Sequence, residues 1–571
     1  MGKVVGIDLG TSNSVVSAVI GGQPTVIPDE EGNRIQPSIV SFLPGGEVVV
    51  GHKARARKVI DPLNTVYSIK RLIGRPFYSE QVRIAQSHYP YQVVCGSDNN
   101  PKVFVQGQEF SPEEVSAMVL RRMKQIAENH LGQVVDRAII TVPANFNEAQ
   151  RYATKAAGEI AGLDVLRILN EPTAAALAYG YGHDKRENVA IYDFGGGTFD
   201  ITILSLRGSV FEVLSTAGDT YLGGDDFDNR LVDYMVAAFQ HKHGYDLGSE
   251  IVALQRLRNI AERLKCELSE KDKVAVHIKE IIPGSVTPVM LSFSISREGF
   301  NDRCGDIVKR TFGVCDEAMR LARMTTSQID HVVLVGGTTR VPMVCNLVTS
   351  YFSQPPVDNV NPDEVVAVGA AIYASSLDEQ FYAPPSLPET VKREAAQWDN
   401  VPSYDGEIMY EDDGAGYEPP SFGGGQALLI DVTPRGLGVA TAGGFCDIVI
   451  ERNENIPTER RRIFGTNRDN QDQVRIQILE GESRQASENS KLGELLLTGI
   501  RPSFRGDVQI EVIFELDTSG ILNATAVDVE TGRRQTARLQ LHGNMDPDEV
   551  RRLALRQERT TLLNDLPDYL P

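Results

Sequence analysis

A glycine-rich turn between two aspartates is the stretch of this sequence that could most directly do chemistry. Residues 189–205 read V-A-I-Y-D-F-G-G-G-T-F-D-I-T-I-L-S, with Asp193 and Asp200 on either side of the three glycines. Successive glycines can turn several backbone N–H groups toward one point and so form a nest for a phosphate. Carboxylates beside a phosphate commonly hold a divalent metal. Taken alone, the stretch is equally compatible with a tight hairpin that carries two solvated aspartates.

The elements that must position this turn are two strands. Residues 189–192 are β-prone and residues 198–204 alternate, so the pattern predicts a hairpin with a glycine tip. Residues 4–19 (V-V-G-I-D-L-G-T-S-N-S-V-V-S-A-V) repeat the order of apolar strand, aspartate, glycine, hydroxyl residues and second strand. Two hairpins of one design predict a duplicated domain that closes on one ligand from both sides.

The length and composition indicate a multidomain protein of ordinary globular character. The 571 residues are 41% hydrophobic and 23% charged, which is enough chain for several hydrophobic cores. A net charge of −20 argues against nucleic acid or an anionic membrane as the main partner. The six cysteines lack metal-binding or C-x-x-C spacing, and we find neither a membrane-spanning apolar run nor room for a signal peptide before Val4. We therefore expect a reduced, cytoplasmic location.

The pattern along the chain predicts five segments. Residues 375–425 hold six prolines, eleven acidic residues and two basic ones, so we expect them to be disordered, with Trp398 exposed. The last helix should end near Leu563. The predicted segments are an α/β domain (1–374), the acidic insert (375–425), a linker (426–431), a β-sandwich (432–543) and a single C-terminal helix (544–571).

Helix start and stop signals place further elements. Ser111 as N-cap and Pro112 as the first helical residue predict a helix that runs to about Leu131. The other predicted elements are helices at 147–161, 171–178, 225–241 and 250–269 and strands at 137–142, 163–169, 448–452, 474–480, 493–498 and 508–516.

Several longer motifs are spread over nearly the whole chain outside the insert. They are I-D-L-G-T at Ile7, K-R-L-I-G at Lys70, N-E-P-T-A-A-A-L-A-Y-G at Asn170, G-D-T-Y-L-G-G-D-D-F-D at Gly218, N-P-D-E at Asn361 and D-V-T-P at Asp431. With a third glycine turn at 332–341, the chain resembles the seventy-kilodalton heat-shock chaperone family of the DnaK type. The resemblance implies an actin-like ATPase domain of two ribonuclease-H-like lobes, a β-sandwich peptide-binding domain and a truncated helical lid.

The resemblance also implies a site for ATP or ADP and Mg²⁺, with K⁺ as a further candidate ion. Asp8 and Asp193 would hold Mg²⁺, largely through its water shell, because this ion keeps several waters. Lys70 would place a positive charge beside the γ-phosphate and the attacking water, and Glu171 and Asp200 would order that water and the metal. Thr198, the fourth predicted catalytic residue, would lie at the phosphoryl group that is cleaved. The remaining predicted residues are Gly10, Thr11, Ser12, Gly195, Gly196, Gly197 and Thr198 around the phosphates and Glu262, Lys265, Ser269, Gly337, Thr338, Arg340 and Asp363 around the adenosine.

Two of these assignments depend on the resemblance alone. Glu262, Lys265 and Ser269 share one helix face, but without the resemblance they would be an ordinary solvated stripe. Lys70 by itself would be an ordinary surface charge.

Communication between the domains is a second implication of the resemblance. The apolar linker containing Leu428, Leu429 and Asp431 would dock in one nucleotide state and be released in the other. Arg167 and Asn170 match positions where the family receives J-domain co-chaperones, although a structural salt bridge would explain Arg167 equally well. A nucleotide exchange factor is a further expected partner.

The peptide groove departs from the family. The family binds unfolded or extended polypeptides by strand addition. Val439 and Val474 would line the pocket and Phe464 would form its floor. Ala442 and Asn467 stand where the family places residues that arch over the peptide, and neither can make an apolar cover.

Three functions remain open from the sequence. The first is an ATP-dependent chaperone with a reduced lid. The second is a nucleotide-gated protein dedicated to one partner. Small-molecule kinase chemistry is disfavoured, since that class lacks a β-sandwich appended by a docking linker.

Overall fold

The computed structural model describes residues 2–96, 99–181, 186–282, 290–382, 427–537 and 545–564. A six-stranded sheet built around the N-terminal strand forms its first layer. Strand Lys3–Leu9 pairs in parallel with Val135–Val142 and antiparallel with Asn13–Ile20. The strand order across this sheet is Asp164–Asn170, Val135–Val142, Lys3–Leu9, Asn13–Ile20 and Gln23–Val26, with Gln36–Pro37 paired to Asn13–Ile20.

A second six-stranded sheet carries the predicted glycine-tipped hairpin, whose two strands are confirmed. Arg186–Phe194 and Phe199–Arg207 are antiparallel, with Asp193 opposite Asp200. The strand order is His331–Val335, Arg186–Phe194, Phe199–Arg207, Val210–Asp219, Leu428–Val432 and Asn455–Ile456. The last two strands come from the predicted linker and from the region after it, so the linker is an integral strand of this sheet.

The predicted helices are confirmed with shifts of a few residues at their ends. The helix Pro112–Leu131 begins with a capping box in which Ser111 and Glu114 bond reciprocally, as the Ser-Pro-Glu-Glu pattern indicates. The helices of the structure are His52–Arg55, Arg57–Ile60, Glu80–His88, Pro112–Leu131, Glu148–Ile160, Glu171–Gly180, Gly224–His243, Ile251–Glu270, Arg297–Ala322, Pro342–Phe352, Val365–Tyr382 and Pro547–Arg559. None of these helices within the described ranges is both long enough and apolar enough to cross a membrane.

The structure also contains three smaller sheets and several short 3-10 helices. One small sheet has the strands Leu562–Leu563, Val48–Val50, Ile39–Phe42 and Thr65–Tyr67. The second has Gln108–Phe110, Pro101–Val105 and Gln92–Cys95, and the third has Lys273–Ile278 and Leu291–Ser296. The 3-10 helices are Pro62–Asn64, Ile69–Arg71, Leu247–Ser249, Thr326–Gln328, Gly337–Arg340 and Ala486–Glu488.

The region after the linker is a β-sandwich, as the short alternating strands predict. Its two four-stranded sheets enclose a separate core that includes Val439, Ile478 and Phe514. In spatial order the strands are Cys446–Ile450, Leu437–Ala440, Gln473–Glu480 and Ser490–Thr498 in one sheet, and Thr458–Gly465, Gln509–Leu516, Leu522–Asp528 and Arg534–Ala537 in the other.

The structure differs from the sequence prediction at the ends of two helices. The helix Val365–Tyr382 continues past the predicted domain end at residue 374, because Ser375 and Ser376 do not interrupt an otherwise helical stretch. The last helix stops at Arg559 rather than near Leu563, and Leu562–Leu563 form a strand instead. The predicted disorder of residues 375–425 is wrong for residues 375–382, which continue the helix. Residues 383–425, with the predicted exposure of Trp398, lie outside the described residues.

The C-terminal helix packs on the N-terminal α/β region. Val550 and Leu553 belong to the same apolar core as the first sheet. Leu562 and Leu563 pair in parallel with Val48 and Val49. In this arrangement the predicted truncated lid does not cover the groove, since the apolar face of the helix is buried against the N-terminal region.

Candidate functional site

The tips of the two glycine hairpins face each other across a cleft. A Cβ added to Gly196 would lie 2.1 Å from the Ser12 hydroxyl, so a side chain at this position would displace Ser12. One predicted donor is not free, because the Gly195 N–H donates to the Thr198 carbonyl at 3.0 Å. The amides of Gly196 and Gly197 are the remaining glycine donors of the predicted nest.

A cavity of about 90 Å³ lies between these two turns. It brings together twelve of the predicted residues, from both hairpins and from four other segments. They are Asp8, Gly10, Thr11, Ser12, Lys70, Glu171, Asp193, Gly195, Gly196, Thr198, Gly337 and Asp363. Gly197 and Asp200 lie beside this cavity but do not line it.

Lys70 and Glu171 form a buried ion pair in the cleft. Lys70 Nζ donates to Glu171 Oε1 at 2.7 Å, and both side chains are at most 10% exposed. Lys70 lies on the short 3-10 helix Ile69–Arg71, and Glu171 is the first residue of the helix Glu171–Gly180. An ion pair shielded from water is much less screened than a surface pair, so the Lys70 ammonium is held in one place inside the cleft.

Three carboxyl groups near this pair are costly to ionise. Burial, with the nearby Glu171 charge as a second cause, raises the pKa of Asp8 to about 7 and that of Asp200 to about 8. Burial likewise raises the pKa of Asp193 well above its ordinary value. A divalent cation beside these oxygens would reverse the cost of ionisation.

The residues present fit a hydrated magnesium ion bound with phosphate. Asp8 and Asp193 offer carboxylate oxygens at the ends of the leading strands of the two hairpins, and Mg²⁺ takes only one or two such ligands alongside water and phosphate. Thr141 donates to Asp8 Oδ1 at 3.1 Å, and the Asn145 N–H donates to Asp200 Oδ1 at 3.3 Å. These donors fix the orientation of the two carboxyl groups. In the described ranges, no group of three or more His, Cys, Asp or Glu side chains is placed to hold a metal.

A larger cavity of about 360 Å³ continues from the phosphate region. Glu262, Lys265, Gly337, Thr338, Arg340 and Asp363 line it as predicted. Lys265 pairs with Asp228 at 2.8 Å and Arg340 with Asp363 at 2.6 Å. Ser269 does not line the cavity, because its hydroxyl donates back to the Lys265 carbonyl.

Sequence reasoning missed Arg71, which lies between the two halves of the cleft. Its guanidinium pairs with Asp225 at 3.2 Å and stacks over the Tyr221 ring at 4.6 Å. It also reaches the Gly196 carbonyl at 3.4 Å. Arg71 and Asp225 both fall within motifs quoted above, so position within those motifs was the available signal.

The linker is tied to the helix that carries Glu171. Asp431 is buried, and its Oδ2 accepts hydrogen bonds from Asn170 Nδ2 at 2.9 Å and Thr173 Oγ1 at 3.1 Å. Leu428, Leu429 and Ile430 pair in parallel with residues 210–212. Asn170 is therefore buried against the linker in this arrangement.

The β-sandwich also contacts the N-terminal region directly. Arg167 Nε donates to the Thr518 carbonyl at 3.0 Å, and its guanidinium bonds the Tyr373 hydroxyl. Glu148 Oε2 accepts from the Leu522 N–H at 3.0 Å. Arg452 pairs with Glu317 at 2.6 Å. Arg167 thus makes one interdomain hydrogen bond, to Thr518, rather than the salt bridge considered from the sequence.

A groove of about 660 Å³ lies at one end of the sandwich. Its lining includes all five predicted residues, Val439, Ala442, Phe464, Asn467 and Val474. Phe464 and Val474 are half-buried and pack against the sandwich core. The C-terminal helix contributes no residue to this lining.

Comparison with known families gives a match that spans nearly the whole chain. The family model described as Hsp70 protein matches residues 4–383 and 420–565. The matched residues include both glycine hairpins, the Lys70–Glu171 pair, the linker strand and the sandwich. Members of this family are nucleotide-binding ATPases that act as chaperones. The chain belongs to the Hsp70 family.

Proposed function

We propose that this protein is an ATP-dependent chaperone that couples nucleotide state to the binding and release of extended polypeptide segments. The observation that carries the proposal is the contact of Asp431 with Asn170. Asn170 precedes Glu171, which pairs with Lys70 in the cleft. A change at the phosphate site can therefore reach the linker through the Lys70–Glu171 ion pair, one peptide bond and the Asn170–Asp431 hydrogen bond.

In this proposal the residues of the nucleotide site have separate roles in ATP hydrolysis. The residues around the nucleotide position ATP. Asp8 and Asp193 would hold Mg²⁺, which would offset the phosphate charge. Lys70 stabilises the charge that develops on the γ-phosphate, and Glu171 and Asp200 orient the attacking water. Phosphoryl transfer relies mainly on such positioning and charge stabilisation. The proposal includes an actin-like, two-lobed ATPase domain over roughly the first 382 residues, with the sandwich as peptide-binding domain.

The mode of coupling follows from the docked linker. Because Leu428–Val432 form a strand of the second sheet, the structure corresponds to a state in which the two domains are engaged. Loss of γ-phosphate contacts would weaken this state, free the linker and alter the groove. J-domain co-chaperones and a nucleotide exchange factor are the partners that the family suggests.

The test is whether ATP lowers the affinity for an extended apolar peptide. We expect weaker binding with ATP than with ADP in the unmodified protein. Asp431→Ala should retain nucleotide binding and lose this difference, because the linker loses its bonds to Asn170 and Thr173. Asp447→Ala, at an exposed position of the sandwich, is the matched control. Equal peptide affinity with ATP and ADP in the unmodified protein would refute the coupling.

A dedicated partner is the second candidate. It is favoured by one observation, the exposure of Ala442 and Asn467 at the groove, which leaves the groove without apolar cover. A panel of unrelated unfolded peptides would distinguish the candidates, because a dedicated protein would bind none of them.

A further inference from the structure

The rim of the peptide groove is rich in arginine. Arg468, Arg475 and Arg505 line it, whereas Asp472 is the single acidic residue in the same lining. Arg475 is partly neutralised, since its Nε lies 3.0 Å from Glu494 Oε1. Among the residues that the structure describes, the guanidinium groups of Arg468 and Arg505 have no ion-pair partner.

These two arginines lie on loops that are bonded to each other. The Asn470 N–H donates to the Ser503 carbonyl at 2.7 Å, and the Gly506 N–H donates to the Thr466 carbonyl at 2.9 Å. The two loops therefore form one rim, and Arg468 and Arg505 are presented from a connected piece of backbone.

The acidic residues of the same loops are largely engaged within them. Asp469 Oδ1 accepts from the Arg505 backbone N–H at 2.8 Å. Asp507 Oδ2 accepts from the Ser503 hydroxyl at 2.8 Å. Neither carboxylate is paired with a guanidinium of the rim, so within the described part of the chain the guanidinium N–H donors of Arg468 and Arg505 remain free for a ligand.

The centre of the groove has the opposite character. Val439, Phe464, Val474 and Ile476 supply apolar surface there. An extended segment places alternate side chains in such a groove. A ligand that is complementary to both the apolar centre and the arginine rim would have a short aliphatic centre with carboxylates on either side. The reason is that an arginine guanidinium group binds a carboxylate through two parallel hydrogen bonds.

We propose that the groove prefers client segments in which a short aliphatic core is flanked by acidic residues. This preference rests on the proposed peptide-binding function and specifies its substrate class. Arg468 and Arg505 are the residues that select acidic flanks, and the apolar centre selects the core. The occupant is a segment of another polypeptide, bound in the extended form.

The probes are two labelled, end-capped peptides with one core. One is Glu-Glu-Leu-Val-Leu-Glu-Glu, and the other carries lysine in place of every glutamate. Binding is measured by fluorescence anisotropy to the full chain with ADP. We expect the acidic peptide to bind at least tenfold more tightly in low salt, and the difference to shrink in high salt because exposed charges are screened.

Charge-reversal variants assign the preference to the rim. Arg468→Glu combined with Arg505→Glu should remove or reverse it. Arg484→Glu makes the same kind of charge change on an exposed residue of the sandwich outside the groove lining, and it should alter the preference less than twofold. A preference that survives the double variant, or is lost equally in Arg484→Glu, overturns the assignment.

The remaining outcomes separate this proposal from the proposed function. If both peptides bind equally and ATP weakens both, the chaperone function stands and the acidic preference is refuted. If neither peptide binds in any nucleotide state, both the acidic preference and the proposed function are refuted.

The chain's own residues 405–413 (D-G-E-I-M-Y-E-D-D) are an alternative occupant of the groove. A more than tenfold gain in peptide affinity when their five acidic residues become Asn or Gln would assign the groove to this segment and overturn the proposal of a separate client.

Discussion

Asn170 donates a hydrogen bond from Nδ2 to Asp431 Oδ2 at 2.9 Å, and the next residue in the chain, Glu171, accepts from Lys70 at 2.7 Å. One backbone step thus separates the linker contact from the charged pair in the nucleotide cleft. The helix Glu171–Gly180 begins at this step, so a displacement of Glu171 would move the contact that Asn170 makes.

The linker prediction can be made residue by residue. Leu429 packs against the apolar core beneath the second sheet, whereas Leu428 is 55% exposed. Leu429→Asp should undock the strand and remove the ATP dependence of peptide affinity, because a charge would enter an apolar contact. Leu428→Asp is the matched control and should leave most of the coupling. ATP-dependent peptide affinity measures both, and intact coupling in Leu429→Asp would exclude the linker strand from the mechanism.

A second prediction concerns Lys70. Lys70→Ala should lower single-turnover ATP hydrolysis by about 100-fold or more while nucleotide affinity changes little, because Lys70 is proposed to stabilise developing charge. Glu171 would lose its buried partner, so thermal unfolding should be followed in parallel. Lys271→Ala, at a surface position, is the control. A folded Lys70→Ala protein that hydrolyses ATP at the wild-type rate would contradict the assignment.

Much of the nucleotide cleft could be predicted because its residues follow strand ends at fixed spacing. Asp8 and Asp193 end strands of the same design, and the structure places both at one cavity. The role of Leu562 could not be predicted. Its short Thr-Leu-Leu stretch fits a helix end equally well, and only the free edge at Val48, which is remote in sequence, makes it a strand. The burial of Arg167 also depends on docking of Thr518, which no local pattern encodes.

The interdomain contact of Glu148 predicts a pH dependence. Burial raises the pKa of Glu148 to about 8 and also raises the pKa of Glu480, with Arg151, Arg435 and Asp517 as charged neighbours. The docked state therefore keeps a proton that the separated state releases near the ordinary carboxyl pKa. Docking should weaken as pH rises from about 5 to 8 and change little above that range.

Energy transfer between dyes on the two domains would measure this dependence. Glu148→Gln mimics the protonated carboxyl group and keeps an oxygen for the Leu522 N–H, so it should flatten the profile and strengthen docking at pH 8. Glu159→Gln, on the exposed side of the same helix, should leave the profile unchanged. Stronger docking at higher pH in the unmodified protein would show that the predicted direction of the pH dependence is wrong.

The docked position of the C-terminal helix gives a prediction with an internal control. Leu553 is 9% exposed and belongs to the core of the N-terminal region, whereas Leu555 on the same helix is 55% exposed. Leu553→Ala should weaken helix docking by about 2–4 kcal/mol. Leu555→Ala should stay within about 0.5 kcal/mol. Limited proteolysis at the helix reports its release, and equal protection in the two variants would place the helix elsewhere.

The last prediction is that peptides leave the groove quickly even with ADP. Ala442 and Asn467 border the groove but offer little apolar cover, and the C-terminal helix lies against the N-terminal region instead. Affinity differences among related sites appear mainly in dissociation rates. At roughly 25 cal/mol per Å² of apolar burial, a loss of ~50 Å² of cover costs about 1 kcal/mol, or several-fold in lifetime. Ala442→Met with Asn467→Leu should restore cover and slow release several-fold, whereas Gln485→Leu, outside the lining, should not. Stopped-flow displacement of a labelled peptide measures this, and a bound lifetime of many minutes in the unmodified protein would show that the groove is closed by some other means.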